Sequence, residues 1–322
     1  LLLQEEYGFL PNRETSLSWE TVAEEETFAA GKAVLRTVHV TAKFERGTFT
    51  FPVYVTLPKG KTNVPFFVHI NFRPDVPDRY QPTEEIIDGG FAVLSFCHKD
   101  VTSDDGDFSN GVSPYLLGAK EQQKDDDCGK IAMWAWAASK VMDYAETLPE
   151  LDLRRAAVVG HSRLGKTALL AGAQDPRFSL VISNDSGCSG AAITRGKQGE
   201  RVEDICKNLG YWFCKNYHQY RGKEDQMPFD QHFLLAAIAP RCVYVASAAE
   251  DLWADPDYEF LSCVAAGTYY EHYGMKGFEH DDRFPAVGEK LHKGSVAYHK
   301  RGGTHYLSRE DWIYFMEYAK TI

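Results

Sequence analysis

The sequence has no excess of basic charge, few cysteines and no long apolar run. Its 322 residues carry 35 Lys and Arg against 46 Asp and Glu, a net charge of −11. Nucleic-acid binding is therefore not expected, because no basic stripe is available to neutralise phosphates. No apolar stretch approaches the roughly 20 residues that span a bilayer. The seven cysteines form no C-x-x-C pair and no zinc-finger spacing, so the sequence predicts no metal site.

What is present is the composition of an ordinary globular protein. Hydrophobic residues make up 44% and charged residues 25% of the chain, which excludes a disordered tail, a fibre and a small disulfide scaffold. A chain of this length can bury a large core. We therefore expect a single domain over residues 1–322. We also expect a monomer, although the length and composition do not determine the oligomeric state.

The hydrophobic pattern changes along the chain and predicts an α/β fold. Period-two alternation predicts an antiparallel N-terminal hairpin at residues 34–40 and 49–55. Apolar runs typical of strands buried on both faces follow at residues 66–70, 91–97, 156–159, 180–182 and 242–245. Helical patterns lie at residues 131–148, 166–173, 233–238 and 308–320, the last with a capping box at its start. We expect a mixed, mostly parallel sheet with helices on both faces, and a long surface loop near the site at residues 100–127.

The strongest chemical signal lies at residues 158–168. A buried strand runs into a glycine and then Ser162, and a helix of small residues begins at once. A sharp strand-to-helix turn lifts a serine hydroxyl out of the sheet, where the backbone N–H of Arg163 would meet an oxyanion. The motif departs from G-x-S-x-G, because Leu164 stands where the second glycine would be. A serine that merely caps the helix is the alternative.

A serine nucleophile needs a histidine base and an acid, and after such a turn they follow in the order serine, acid, histidine. The candidate base is His305, in a glycine-flanked loop behind the last predicted strand at residues 294–299. Two acids compete for the third role: Asp251 follows the apolar run at 242–247, and Asp185 follows the strand before it. Either could instead be a turn-forming aspartate. The residues alone do not choose between them.

Together these residues resemble the glucuronoyl esterases, carbohydrate esterase family 15, from about residue 65 to the C-terminus. The family motif Gly-x-Ser-Arg-x-Gly-Lys is matched by Gly160, Ser162, Arg163, Gly165 and Lys166. Residues 185–192 and 250–256 are similar to bacterial members. The resemblance implies an α/β-hydrolase fold and a serine carboxylic-ester hydrolase that needs no metal or cofactor. Its substrate would be the ester between glucuronoate or 4-O-methyl-glucuronoate of xylan and an alcohol of lignin.

The resemblance also implies roles for four side chains. Arg163 would support the oxyanion with its guanidinium group as well as its N–H. Lys166, Glu200 and Trp253 would bind the uronic acid ring, since charged groups hold sugar hydroxyls and an aromatic ring packs on the sugar. The alternatives are an exposed lysine on a helix face, a solvated glutamate and a core tryptophan.

Three questions stay open in the sequence. The family often has a glutamate where this chain has Asp185, and the shorter side chain favours Asp251 as the acid. The function could instead be that of an acetyl-xylan esterase or general carboxylesterase with the same triad, or that of a non-catalytic carbohydrate-binding protein on the same fold. The resemblance implies an extracellular or periplasmic location, although this chain shows no signal-peptide pattern.

Overall fold

The computed structural model describes residues 1–119 and 123–322. The strands are β1 (Ser16–Phe28), β2 (Ala33–Phe44), β3 (Gly47–Pro58), β4 (Val64–Asn71), β5 (Ala92–Cys97), β6 (Leu151–His161), β7 (Leu180–Asn184), β8 (Cys242–Ala248), β9 (Glu289–Leu291) and β10 (Val296–Arg301). The helices are α1 (Thr83–Asp88), α2 (His98–Val101), α3 (Ser113–Leu117), α4 (Lys130–Ala145), α5 (Arg163–Gln174), α6 (Val202–Asn208), α7 (His232–Ala236), α8 (Pro256–His272) and α9 (Arg309–Ala319). The chain forms two compact units.

The first unit contains Leu1–Ala156 and Leu209–Tyr217, and its strands lie in the order β1-β2-β3-β5-β4. The predicted hairpin is β2 and β3, which pair antiparallel along their whole length. It bends at a tight turn that ends at Gly47. Alternate side chains such as Val53 and Val55 are fully buried, as expected when one face of a strand meets the core. Beyond the hairpin, β4 and β5 pair parallel.

The second unit contains Ala157–Asn208 and His218–Ile322. There β6, β7, β8 and β10 pair parallel in that order, and β9 closes the edge antiparallel to β10. Every residue of β7 is buried, which explains the short, continuously apolar run in the sequence. The carboxyl ends of these parallel strands therefore lie along one edge, and ligand sites in such sheets form outside that edge.

Most of the predicted elements are present. The predicted helices correspond to α4, α5, α7 and α9, and α9 begins with the expected capping box. In that box Asp311 N–H donates to Ser308 Oγ at 3.2 Å, and Ser308 N–H donates to the Asp311 carboxylate at 2.7 Å. The expected loop at residues 100–127 contains the end of α2 and all of α3, and its residues 120–122 lie outside the described part of the chain. The single domain over residues 1–322 stays a prediction.

All seven cysteines are free thiols. Six of them are buried and Cys242 is partly exposed, so they behave as small apolar residues of the core. Over the described ranges 1–119 and 123–322, none of the helices combines the length and the apolar character that crossing a bilayer requires.

Candidate active site

Ser162 stands on a strained turn between the end of β6 and the start of α5. Its backbone has φ +59° and ψ −126°, a region that non-glycine residues rarely adopt and that often marks a functional site. Its N–H donates to the carbonyl oxygen of Asn184 at 2.8 Å. A side chain at Gly160 would place Cβ 2.0 Å from the carbonyl oxygen of Leu164, so the turn closes this tightly only around a glycine.

The alternative of a helix-capping serine does not fit this turn. Within the described residues of α5, no backbone N–H donates a capping hydrogen bond to the Ser162 side chain. Ser162 is partly exposed, and so is Arg163, the first residue of the helix. The N-terminus of a helix carries partial positive charge and favours an anion. The turn therefore combines an accessible hydroxyl with an environment suited to an oxyanion.

His305 is hydrogen bonded to Asp251, which follows β8. Nδ1 of the imidazole lies 2.6 Å from Asp251 Oδ2, and Asp251 Oδ1 accepts the N–H of Ala254 at 3.2 Å. Burial alone would raise the pKa of Asp251, but the hydrogen bond and the charge of His305 lower that pKa below its ordinary value. The His305 side chain is 44% exposed, against 5% for Asp251. The exposed imidazole of His305 is therefore oriented by the buried carboxylate of Asp251.

Asp185, the other candidate acid, accepts hydrogen bonds from groups other than His305. Its Oδ1 accepts the N–H of Ala248 at 2.7 Å. Its Oδ2 accepts the N–H of Tyr306 and a guanidinium N–H of Arg301, both at 3.3 Å. Burial and the nearby Glu259 carboxyl raise the pKa of Asp185 above its ordinary value, and Arg301 opposes that rise.

The two acids and the imidazole form a close group. Asp185, Asp251 and His305 offer ligand atoms within 4.8 Å of one another, the one such set of donors in the described part of the chain with a spacing that suits a metal ion. Nδ1 of His305 is already committed to Asp251, and Asp185 is paired with Arg301. The arrangement is that of a hydrogen-bonded base more than that of a metal centre.

His161 packs against the base and was not predicted from the sequence. Its ring centroid lies 4.5 Å from that of His305, and its Nδ1 lies 2.6 Å from the amide oxygen of Asn184. Burial, together with the charge of His305, lowers the pKa of His161 to about 3. His161 is therefore neutral, and its Nδ1 donates to Asn184. Its position directly before the serine was the only signal in the sequence.

Arg301, at the end of β10, was also missed. Its guanidinium group is buried and donates to the carbonyl oxygens of Gly302, Thr304 and Tyr306. It also pairs with the Asp311 carboxylate at 2.8 Å. These contacts lie on both sides of His305 and hold its loop. An arginine at the end of a strand gives no sign of this role in the sequence.

The three residues expected to bind the sugar lie near one another. Lys166 is 3% exposed, and its ammonium group donates to the carbonyl oxygens of Ser186 and Cys188 and lies 3.7 Å from Glu200 Oε2. Glu200 N–H donates to the carbonyl oxygen of Trp253 at 3.0 Å. Trp253 is 57% exposed. Lys166 is therefore not an exposed lysine, and Trp253 is not a core tryptophan.

Comparison with known proteins agrees with this arrangement. A sequence model described as "Glucuronyl esterase, fungi" matches residues 38–274. The carbohydrate esterase MZ0003, from an unknown prokaryotic organism, is 36% identical over 97% of this chain and 80% of its own length. A 4-O-methyl-glucuronoyl methylesterase of Schizophyllum commune is 29% identical over 77% of this chain and 64% of its own.

The fold agrees as well. The solved structure of a glucuronoyl esterase from Solibacter usitatus superposes with a TM-score of 0.90 and 32% identity, covering 99% of this chain and 89% of that one. The predicted family, fold class and enzyme class are confirmed. The chain belongs to the glucuronoyl esterase family, carbohydrate esterase family 15, whose members are carboxylic-ester hydrolases with an α/β-hydrolase fold.

Proposed function

We propose that this chain hydrolyses the ester that joins glucuronoate or 4-O-methyl-glucuronoate of xylan to an alcohol of lignin. Ser162 is the nucleophile, His305 the base and Asp251 the acid that orients the base. The observation that carries the proposal is the 2.6 Å hydrogen bond between His305 Nδ1 and Asp251, beside a serine on a strained strand-to-helix turn.

The reaction proceeds in two halves. His305 Nε2 takes the proton of the Ser162 hydroxyl while the serine oxygen bonds to the ester carbonyl carbon. The backbone N–H and guanidinium group of Arg163, at the start of α5, stabilise the oxyanion. The carbonyl re-forms, the bond to the alcohol breaks, and His305 returns the proton to the leaving oxygen. Water, deprotonated by His305, then cleaves the acyl-enzyme and releases the uronic acid and Ser162.

The uronate ring is held by Lys166, Glu200 and Trp253. The Glu200 carboxylate accepts from a ring hydroxyl, and the exposed face of Trp253 packs on the sugar. Lys166 is nearly buried, donates to two carbonyl oxygens and lies 3.7 Å from Glu200 Oε2, so its ammonium group is fixed in place beside the carboxylate that binds the sugar. No metal or cofactor takes part in these steps.

The proposed function also bears on the location, the oligomeric state and the partners of the protein. A polymeric substrate outside the cell requires an extracellular or periplasmic enzyme. The site described here lies within the second compact unit and uses residues of one chain, which is compatible with a monomer. With a net charge of −11, the protein is not expected to bind nucleic acid.

The test compares two substrates with the same preparation of enzyme. Hydrolysis of the benzyl ester of glucuronic acid is measured beside that of 4-nitrophenyl acetate, with Ser162→Ala as the inactive variant. Ser18→Ala is the matched control, since Ser18 is an exposed serine of β1. We expect a clear preference for the glucuronate ester, in kcat/KM, that disappears in Ser162→Ala and persists in Ser18→Ala.

The other outcomes point to other functions. A preference for the acetate would make the chain an acetyl-xylan esterase or a general carboxylesterase with the same triad. No hydrolysis of either ester, combined with no labelling of Ser162 by a fluorophosphonate, would favour a non-catalytic carbohydrate-binding protein.

A further inference from the structure

A buried lysine joins the two segments that carry the sugar-binding side chains. Lys197 is 2% exposed. Its ammonium group donates to the carbonyl oxygens of Gln198, of Glu200 at 2.8 Å and of Trp253 at 3.4 Å. Within the described part of the chain, its partners are backbone carbonyls and no carboxylate forms an ion pair with it. An ammonium group this buried is retained only where several oxygens replace its water.

The backbone of the same two segments is tightly packed. Glu200 N–H donates to the carbonyl oxygen of Trp253 at 3.0 Å, and Gln198 N–H donates to Asp255 Oδ2 at 2.8 Å. A Cβ at Gly199, where φ is +67°, would lie 2.4 Å from the carbonyl oxygen of Leu252. The backbone carbonyl oxygens of Glu200 and Trp253 therefore both accept a hydrogen bond from the ammonium group of Lys197.

We propose that Lys197 is a positioning residue that sets the placement of Glu200 and Trp253 and thereby the selectivity for a uronate ring. The inference rests on the proposed function, and it extends that function to a residue that touches neither the ester nor the triad. Holding the carbonyl oxygen of Trp253 fixes the backbone from which the exposed indole extends. Holding that of Glu200 fixes the backbone from which its carboxylate extends. Without the ammonium group the two carbonyls would repel each other and lose a partner, so both side chains would be less preorganised.

Burial lowers the pKa of Lys197, and the nearby Cys188, Asp255 and Glu200 oppose that change. This agrees with a group that is held by dipoles in a dry environment. The catalytic contacts have other partners: His305 is bound by Asp251, and Ser162 is placed by Asn184. An effect of Lys197 is therefore expected on binding of the sugar and not on attack at a small ester.

The experiment uses Lys197→Met, which keeps the length of the side chain and removes its donors, and Lys197→Arg, which keeps the charge. Lys223→Met is the matched control, because Lys223 is an exposed lysine of the same unit. KM and kcat are measured with the benzyl glucuronate ester and with 4-nitrophenyl acetate. We expect Lys197→Met to raise KM for the glucuronate ester by about tenfold, the effect of about one lost charge-assisted hydrogen bond. Acetate hydrolysis should stay within about twofold, and Lys197→Arg should recover part of the loss.

A double-mutant cycle makes the test specific for positioning. In a Trp253→Ala, Glu200→Ala background, Lys197→Met should raise KM much less than in the wild-type background, because the groups that it places are gone. Unchanged kinetics on the glucuronate ester, an equal loss on both esters, or an undiminished effect in that background would overturn the proposal. If Lys197→Met does not fold, the same cycle is run with Lys197→Gln, which also removes the charge, and judged in the same way. A wild-type enzyme that ignores the glucuronate ester would refute the proposed function instead.

Discussion

Asp251→Asn is expected to lower kcat on a simple ester by about 10³–10⁴-fold, and Asp185→Asn far less. The two acids lie beside the same imidazole but have different partners. Asp251 Oδ2 lies 2.6 Å from His305 Nδ1, while Oδ1 accepts the N–H of Ala254. An asparagine at 251 keeps its carbonyl oxygen toward Ala254, so its NH₂ group faces Nδ1. That amide favours the tautomer in which Nε2 carries the proton.

The wrong tautomer cannot accept the proton of Ser162. In a serine-protease triad the corresponding change lowers kcat by about 10⁴-fold, about 5 kcal/mol in activation free energy. His305 is 44% exposed here, so its ring has some freedom to turn and recover the productive tautomer. For that reason we place the lower limit at about 10³-fold.

Asp185→Asn perturbs stability more than catalysis. Its carbonyl oxygen would stay with Ala248 N–H, and its NH₂ group would face the donors of Arg301 and Tyr306. Donor facing donor in a buried site costs about 2–4 kcal/mol, but kcat of the folded fraction should fall by about tenfold or less. The assay is kcat on 4-nitrophenyl acetate with urea unfolding of both variants. A larger loss of kcat in Asp185→Asn than in Asp251→Asn would refute this reasoning.

Two further changes test the buried charges around the site. Arg301→Met should destabilise the protein by about 3–5 kcal/mol in urea unfolding, because it removes the guanidinium group that pairs with the buried carboxylates of Asp185 and Asp311. Asp311 keeps its contact with His299 at 2.8 Å, so Asp185 is the carboxylate that loses its cation. The kcat should fall too, and an unchanged kcat would show that the His305 loop keeps its position without Arg301. Glu259 is fully buried, and burial raises its pKa from 4.5 to about 7. Between these two pKa values the folded protein keeps a proton on Glu259 that the unfolded chain has released. The free energy of unfolding therefore falls as the pH rises through this range, by about 3 kcal/mol in all. Glu259→Gln should remove this slope: its free energy of unfolding relative to wild type should rise between about pH 5 and about pH 8, and a difference independent of pH would contradict the assignment.

The buried strands were predictable because they carry a strong and local pattern. β7 is buried on every residue and reads as a short apolar run, and the hairpin of β2 and β3 alternates with period two. The turn at Ser162 was predictable for a similar reason, because its glycine, its serine and the small-residue helix follow one another in the chain.

Elements without such a pattern were missed. β1 is exposed along nearly its whole length, so its sequence shows no apolar face; its pairing with β2 depends on the backbone. α8 carries a central stretch of small residues followed by two tyrosines, which favours no single period. Its buried face, including Phe260 and Cys263, becomes visible only when the neighbouring strands are in place.

The roles of His161, Lys197 and Arg301 depend on contacts between distant parts of the chain. The guanidinium group of Arg301 reaches Asp185, which is 116 positions away. Lys197 reaches the carbonyl oxygen of Trp253 across 56 positions. No local pattern records such contacts, since a buried lysine or arginine has the same neighbours in sequence as an exposed one.

The choice between the two acids follows from how their charges are balanced. Two carboxylates beside one imidazole repel each other unless one of them is compensated. Arg301 lies 3.3 Å from Asp185, so part of that charge is already offset before His305 takes a proton. Among the described residues, Asp251 forms its ion pair with His305 and with no lysine or arginine, so its charge is available to the imidazolium that forms during the reaction. The shorter side chain at 185 therefore suits a residue that anchors the loop of His305, which supports our proposal that the catalytic acid comes from the end of the next strand.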